Sequence, residues 1–143
     1  NIDEALTQGI ETEVSLGLTE VFSFSLNHTY MKAENQSTGL RLRERPKNSA
    51  NVRLNMNLAQ RALNAAIRME YIGTQVQYGR LGNQINIPDY TLWHFNISKQ
   101  FAGKYRLTAG VDNMGNVRLE DKAPSLDFAE RGRFYYLGFD SSF

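Results

Sequence analysis

The sequence predicts an all-β protein: an antiparallel up-and-down meander of about seven strands, of the kind that forms a transmembrane outer-membrane β-barrel. Three observations predict it. Seven segments of similar length alternate apolar and polar residues with a period of two. Their connections alternate strictly between short and long. The chain closes on an amphipathic stretch, Arg133 to Phe143, that ends in an aromatic residue, where a free terminus is usually polar and frayed.

The segments follow in order. In Gly9 to Leu18, Ile10, Thr12, Val14, Leu16 and Leu18 oppose Glu11, Glu13, Ser15 and Gly17. In Val21 to Met31, Phe22, Phe24, Leu26, His28 and Tyr30 oppose Ser23, Ser25, Asn27 and Thr29. Ala50 to Leu58 sets Val52, Leu54, Met56 and Leu58 against Asn51, Arg53, Asn55 and Asn57. Ala59 to Glu70 contains good helix formers. Yet Leu63, Ala65, Ile67, Met69 and Tyr71 alternate with Asn64, Ala66, Arg68 and Glu70, the period of both neighbours, so Leu63 to Tyr71 is read as the fourth strand. Thr91 to Lys99 and Tyr105 to Asp112 are the fifth and sixth. The C-terminal stretch is the seventh, with Tyr135, Leu137 and Phe139 on its apolar side.

Thr19-Glu20, Ala59 to Arg61 and Phe101 to Lys104 suit hairpin turns. Lys32 to Ser49, Gly73 to Tyr90 and Asn113 to Gly132 are long and polar, and hold all three prolines, Pro46, Pro88 and Pro124. Loops this long without structure are uncommon in compact domains and usually functional. Long loops on one rim and tight turns on the other is the layout of outer-membrane barrels. The polar face carries Glu11, Glu13, Arg53, Arg68, Glu70, Arg106 and Asp112, whereas the apolar face has no formal charge in mid-strand. Phe22, Tyr30, Tyr71, Tyr90, Trp93, Tyr105, Phe134 and Phe143 sit near strand ends, as an interfacial girdle does. A soluble β-sandwich binding or adhesion module shows the same two-faced strands and stands as the alternative; a small non-transport outer-membrane barrel is another.

Bulk properties narrow the classes. The 143 residues carry 16 Lys and Arg against 15 Asp and Glu, a net charge of +1 that gives no pull toward nucleic acid. Without cysteine there are no disulfides, thiolate metal sites or cysteine nucleophiles. No apolar run reaches the roughly 18 residues of a transmembrane helix. Asn1 opens the chain without a methionine or a signal peptide, so a mature product or a fragment is expected. No nucleophile elbow, P-loop, dinucleotide turn or metal-ligand cluster is present, so neither an enzyme nor a cofactor is expected. His28 lies on the apolar register and His94 on the polar one, and neither is expected to ligate haem or metal. Three glycosylation-like triplets, at Asn27, Asn35 and Asn96, are discounted, two of them lying inside strands.

The residues also carry a resemblance. Asn1-Ile-Asp-Glu-Ala5 with Gln8-Gly-Ile-Glu11, Leu26-Asn-His-Thr-Tyr30, Arg45-Pro46 ahead of Asn51, Ala109-Gly-Val-Asp-Asn113, and Arg131-Gly-Arg133 running to Phe143 resemble, in order and spacing, the C-terminal part of a TonB-dependent outer-membrane receptor. The resemblance spans residues 1–143. The sequence departs from the family pattern at Met114-Gly115, where Leu-Phe is usual, and at Ser141, where the third residue from the end is usually apolar.

The resemblance implies seven strands of a 22-stranded barrel whose plug and earlier strands lie outside this sequence. It implies active transport of a scarce nutrient complex: a ferric siderophore first, haem or cobalamin otherwise. Implied partners are the plug and remaining strands, the TonB–ExbB–ExbD energy-coupling complex reached through the N-terminal part, the barrel assembly machinery, and lipid or lipopolysaccharide. Seven strands cannot close a barrel of even number, and open edges in lipid leave unpaired backbone groups, so other segments are expected to complete it.

Three groups of candidate residues follow. Arg41, Arg43, Arg45 and Lys47 form a basic cluster in the first long loop, suited to an anionic ligand such as a ferric siderophore or to lipopolysaccharide phosphate, with Tyr78 and Arg80 of the second loop joining it. Glu11, Glu13, Arg53, Arg68, Glu70, Arg106 and Asp112 are expected to face the plug through water. Tyr135, Leu137, Phe139 and Phe143 form the expected C-terminal assembly signal, read by strand addition.

Overall fold

The computed structural model describes residues 4–79, 81–124 and 131–141. It contains a seven-stranded antiparallel sheet in which every strand neighbours the next one along the chain, save where a small hairpin intervenes. The strands are β1 (Ala5–Gly17), β2 (Phe22–Asn35), β3 (Asn48–Leu58) and β4 (Leu63–Ile72). The hairpin β5 (Gln75–Tyr78) and β6 (Gln84–Ile87) comes next, followed by β7 (Tyr90–Phe101), β8 (Tyr105–Asp112) and β9 (Phe134–Ser141). The sheet order is β1-β2-β3-β4-β7-β8-β9. The meander and all seven expected strands are therefore present, and the helix-prone stretch around Ala62 to Glu70 is strand β4.

Register makes the two faces continuous. Leu16, Phe24, Leu54, Ile67, Phe95, Val111 and Tyr135 are successive cross-strand partners, one row across the whole sheet. Below it runs Phe22, Met56, Ala65, Ile97, Ala109 and Leu137. A one-residue slip in any pairing would have moved a whole strand to the wrong face. The other face holds the row Ser15, Ser25, Arg53, Arg68 and His94. On the apolar register, charges occur only at the ends: Lys32 and Glu34 on one rim and Lys99 on the other.

The apolar face is uncovered. Leu137 is 80% exposed, Tyr135 68% and Ile10 67%. A water-soluble sandwich needs a second layer over such a face, and the described residues supply none. Strands of 10 to 14 residues, as in β1 to β4, reach the 9–11 residues that a tilted strand needs to cross a bilayer.

The tight-turn rim is closed by local chemistry. Thr19 Oγ1 accepts hydrogen bonds from the amides of Val21 (3.1 Å) and Phe22 (2.9 Å), which fixes the β1–β2 turn. A single 3-10 turn, Ala59–Arg61, with Ala62 left-handed, joins β3 to β4. Ala102 and Gly103 are consecutive left-handed residues (φ 49° and 68°) in the β7–β8 turn.

The long-loop rim is more ordered than a structureless reading expects. β1 starts four residues before Gly9, and β2 runs four beyond Met31. The second long connection contains the β5–β6 hairpin, and the third a short helical turn, α1 (Leu119–Lys122). The one buried cluster among the described residues sits at this rim: Ile87, Tyr90 and Leu119, with Ile72, Leu92 and Val117 against them. Tyr90 pairs with Ile72, and Phe134 with Asp112, so both lie on the polar register. They leave the expected girdle. Tyr90 is buried under the loops, while Phe22, Tyr30, Tyr71, Trp93 and Tyr105 keep their places on the apolar register.

The two faces predict opposite responses to one substitution. In the full-length protein in lipid, Leu54→Arg on the apolar face should cost about 2–4 kcal/mol in denaturant unfolding. Asn51→Arg, three residues away on the polar face, should cost under about 1 kcal/mol. Equal costs would refute the assignment of faces.

Candidate functional site

Two constellations on this scaffold hold polar chemistry. The first is at the long-loop rim. Beyond β2 the chain doubles back: the amide of Asn35 donates to Leu40 O (2.8 Å), that of Leu42 to Ala33 O (2.9 Å), and the backbone of Arg41 pairs with that of Glu34 as an isolated antiparallel β-bridge. The β5–β6 hairpin docks on this arm. The Glu44 amide donates to Val76 O (3.0 Å), Gln77 Nε2 to Glu44 Oε1 (2.7 Å) and the Tyr78 hydroxyl to Arg41 O (2.9 Å). Arg41 Nη2 donates to Thr74 O (3.1 Å) and, at 3.5 Å, to Arg45 O. Glu44 adopts a left-handed conformation (φ 54°) to make the corner.

Between arm and hairpin lies a cleft of about 430 Å³, lined by Arg41, Arg43, Arg45 and Tyr78 with Leu40 and Leu42. The Arg43 guanidinium lies over the Tyr78 ring, 5.5 Å from its centroid. Such stacking contributes about 0.5–1 kcal/mol at exposed sites and leaves the guanidinium edge free to donate. The expected cluster is thus real but divided. Arg41, Arg43, Arg45 and Tyr78 share this cleft, whereas Lys47 turns away and sits over Tyr30 at 5.7 Å. Arg80 lies outside the described residues.

The second constellation is on the polar face. Glu11, Glu13, Arg53, Arg68, Glu70, Arg106 and Asp112 all share that register, but they do not form one site. Glu11 and Glu13 lie on β1, far across the sheet. Arg53 Nε donates to Asn55 Oδ1 (2.8 Å) and stands opposite Arg68. Arg106 faces Asp140 across β8 and β9. The residues that gather are Arg68, Glu70 and Asp112, around one that sequence reasoning passed over, His94. Arg68 pairs with Glu70, and His94 Nδ1 lies 2.9 Å from Asp112 Oδ1. His94 Nε2 is 3.9 Å from Glu70 Oε2, with no hydrogen-bond partner among the described residues. With Arg131 and Phe134 these groups line a cleft of about 360 Å³. The clue in the sequence was that His94 shares a register with Glu70 and Asp112; what was missing was the stagger that aligns them.

Comparison with known proteins decides the family. Residues 1–114 match the family model described as TonB dependent receptor-like, beta-barrel. The chain belongs to that family. It is 30% identical over its whole length to the iron-regulated outer membrane virulence protein of Vibrio cholerae, covering 22% of that protein. It is 27% identical to the ferric enterobactin receptor PirA of Pseudomonas aeruginosa, covering 21%. The crystal structure of a point mutant of the ferric enterobactin receptor PfeA of Pseudomonas aeruginosa, in complex with enterobactin, superposes with a TM-score of 0.81 at 25% identity, over all of this chain and 23% of that one. The chain thus spans about a fifth of the length of the curated relatives it matches.

This family of outer-membrane receptor barrels is not one of enzymes, and its membership sets the orientation. In outer-membrane barrels the apolar face of the strands meets lipid and the polar face the lumen, while the long loops face outside and the tight turns the periplasm. Tyr135, Leu137 and Phe139 of β9 lie on the lipid face, Phe139 stacked on Tyr105 at 6.0 Å between ring centroids. Phe143 lies outside the described residues.

Asn113 anchors the third extracellular connection at its root. It is 4% exposed and left-handed (φ 50°). Its Nδ2 donates to Val117 O (2.8 Å) and Arg131 O (3.2 Å), and its Oδ1 accepts from the Val117 amide (2.9 Å). Removing one partner from buried hydrogen bonds costs about 1–3 kcal/mol, and asparagine is among the few residues that tolerate this backbone. Asn113→Ala should therefore release both ends of the connection. Limited proteolysis of intact cells should cut between 114 and 132 at least several-fold faster, with the barrel still inserted; an unchanged cleavage rate would remove Asn113 from this role.

Proposed function

We propose that this chain is the C-terminal barrel wall of a receptor that captures a ferric siderophore outside the cell and imports it by TonB-dependent active transport. The observation that carries the reading is the extracellular cleft in which Arg43 is stacked on Tyr78 beside Arg41 and Arg45. Ferric siderophores built on catecholate or hydroxamate oxygens present anionic or strongly polarised oxygens on aromatic or flexible arms. A guanidinium edge beside an aromatic ring suits such oxygens, because Arg offers several directed donors and remains charged. The described lining of the cleft holds no histidine, which favours this cargo over haem. The names of the relatives, one iron-regulated and two ferric enterobactin receptors, point the same way.

On this reading the remaining strands close the barrel against β1 and β9, and a plug fills the lumen. Arg53, Arg68, Glu70, Arg106 and Asp112 meet the plug through water, where ion pairs form and break at small cost. The TonB–ExbB–ExbD complex drives transport through the plug, and the assembly machinery reads the terminal strand that contains Tyr135, Leu137 and Phe139.

The test uses the full-length receptor and a purified ferric tris-catecholate siderophore. Arg43→Ala removes a charged donor, a loss of about 1.5–3 kcal/mol, so the Kd should rise roughly ten- to hundred-fold. Tyr78→Phe, which frees the Arg41 carbonyl, should raise it only a few-fold. Uptake of radiolabelled iron by a deletion strain carrying each variant should fall in the same order. Binding and uptake both unchanged in Arg43→Ala would mean that the cleft does not hold the cargo.

A further inference from the structure

The arm and the hairpin that enclose the siderophore cleft are joined at a corner by two residues that do not line it, Glu44 and Gln77. Glu44 is a non-glycine residue in the left-handed region (φ 54°), a conformation uncommon enough to call for a reason. Both its backbone amide and its carboxylate are engaged by β5. The amide donates to Val76 O (3.0 Å), and the carboxylate Oε1 accepts from Gln77 Nε2 (2.7 Å). The carboxylate forms no ion pair with Arg43 or Arg45, its neighbours in the chain, so it neutralises neither guanidinium.

Gln77 carries the contact onward. Its Oε1 accepts a hydrogen bond from the Tyr78 amide (3.1 Å). The two partners fix which end of the side-chain amide is which, because a backbone N–H only donates and a carboxylate only accepts. Tyr78 is thereby held at both ends, its amide by Gln77 and its hydroxyl by Arg41 O (2.9 Å). Its ring is the platform over which the Arg43 guanidinium lies. The contacts run from Glu44 through Gln77 and Tyr78 to Arg43, and so return to the arm one residue before the corner.

We infer that Glu44 and Gln77 are positioning residues for cargo capture: they hold Tyr78, and through it Arg43, in the geometry that receives the cargo's oxygens, without touching cargo themselves. The inference rests on the siderophore reading of the cleft. Groups held in place before binding lose less freedom on capture than loose ones. The chemistry at position 77 is demanding, since the side chain there must both donate and accept. Gln77→Leu abolishes both bonds without changing charge. Gln77→Glu keeps the acceptor for Tyr78 but sets two acceptor-only carboxylates against each other. Glu44→Gln leaves an acceptor for Gln77. Combining Glu44→Gln with Gln77→Glu restores the contacts in exchanged form: the new amide at 44 donates to the new carboxylate at 77, which still accepts from Tyr78.

The experiment measures the Kd of the full-length receptor for a purified ferric tris-catecholate siderophore. Gln77→Leu and Gln77→Glu should each raise it roughly three- to tenfold, the worth of a hydrogen bond. Glu44→Gln and the exchanged pair should stay within about two-fold of the parent, a non-additivity that marks direct coupling. In an Arg43→Ala background Gln77→Leu should add little, because its effect passes through Arg43. Parent-like binding by Gln77→Leu overturns the inference. So does an exchanged pair no better than Gln77→Glu alone, or a full Gln77→Leu loss in the absence of Arg43. Affinity that follows net charge, tightest in Glu44→Gln and parental in Gln77→Leu, overturns it as well. The heat-modifiable electrophoretic shift of an inserted barrel checks each variant. If Gln77→Leu does not insert, the comparison of Gln77→Glu with the exchanged pair decides. Unchanged binding in Arg43→Ala contradicts the cleft reading itself. Binding weakened by Arg43→Ala yet intact in Gln77→Leu contradicts the positioning role alone, so the two failures are distinguishable.

Discussion

Every backbone polar group of a strand in lipid needs a partner, because hydrocarbon offers none and each orphan costs several kcal/mol. The rest of this structure depends on that constraint. It explains why the chain is a meander: consecutive antiparallel strands joined by tight turns satisfy each other's ladders with the shortest closures. It explains the continuous rows of partners from β1 to β9. It also accounts for the two outer strands, each paired on one side only among the described residues. Such edges are stable in a membrane only if further strands complete the ring.

The same constraint divides labour between wall and rim. In mid-strand, side chains are assigned by parity alone, lipid on one side and water on the other. At the extracellular rim the sheet gains tertiary structure. The β5–β6 hairpin and the α1 turn meet in a small buried cluster around Ile87, Tyr90 and Leu119, and the doubled-back arm after β2 is hydrogen-bonded to that hairpin. That rigidity matters for binding, since a preformed cleft loses less conformational freedom on capture than a loose loop does. Arg43 and Tyr78 are brought together by backbone bonds around Glu44 and Val76.

The wall was legible in the sequence and the rim was not. Period-two alternation persists over eight or more residues in each wall strand, and it overrode the helix propensity of the Ala59 to Glu70 stretch because the neighbours shared it. β5 and β6 alternate too, as Gln75-Val76-Gln77-Tyr78 shows, but four residues between glycines and prolines give too short a signal. Tyr90 and Phe134 looked like girdle residues by position, yet one step of parity put them inside. The basic run Arg41 to Lys47 read as one cluster. The chain turns a left-handed corner at Glu44, and Arg43 ends over Tyr78 while Lys47 ends over Tyr30, so the run does not converge on one point. His94 was hidden for a related reason: its proximity to Asp112 and Glu70 comes from the stagger of β4, β7 and β8, which no single strand encodes.

The central claim is that one register faces lipid and the other water across the entire sheet. The most direct measurement is a cysteine scan along β4, from Leu63 to Ile72, in the full-length receptor, which is well suited because this chain contains no native cysteine. Each position is labelled in intact outer membranes with a membrane-impermeant aqueous reagent and, separately, with a lipid-phase probe. The account predicts strict alternation, with 65, 67 and 69 reached only from lipid and 64, 66, 68 and 70 never reached from it. Labelling that repeats every three to four residues, or that is uniformly aqueous, would contradict it.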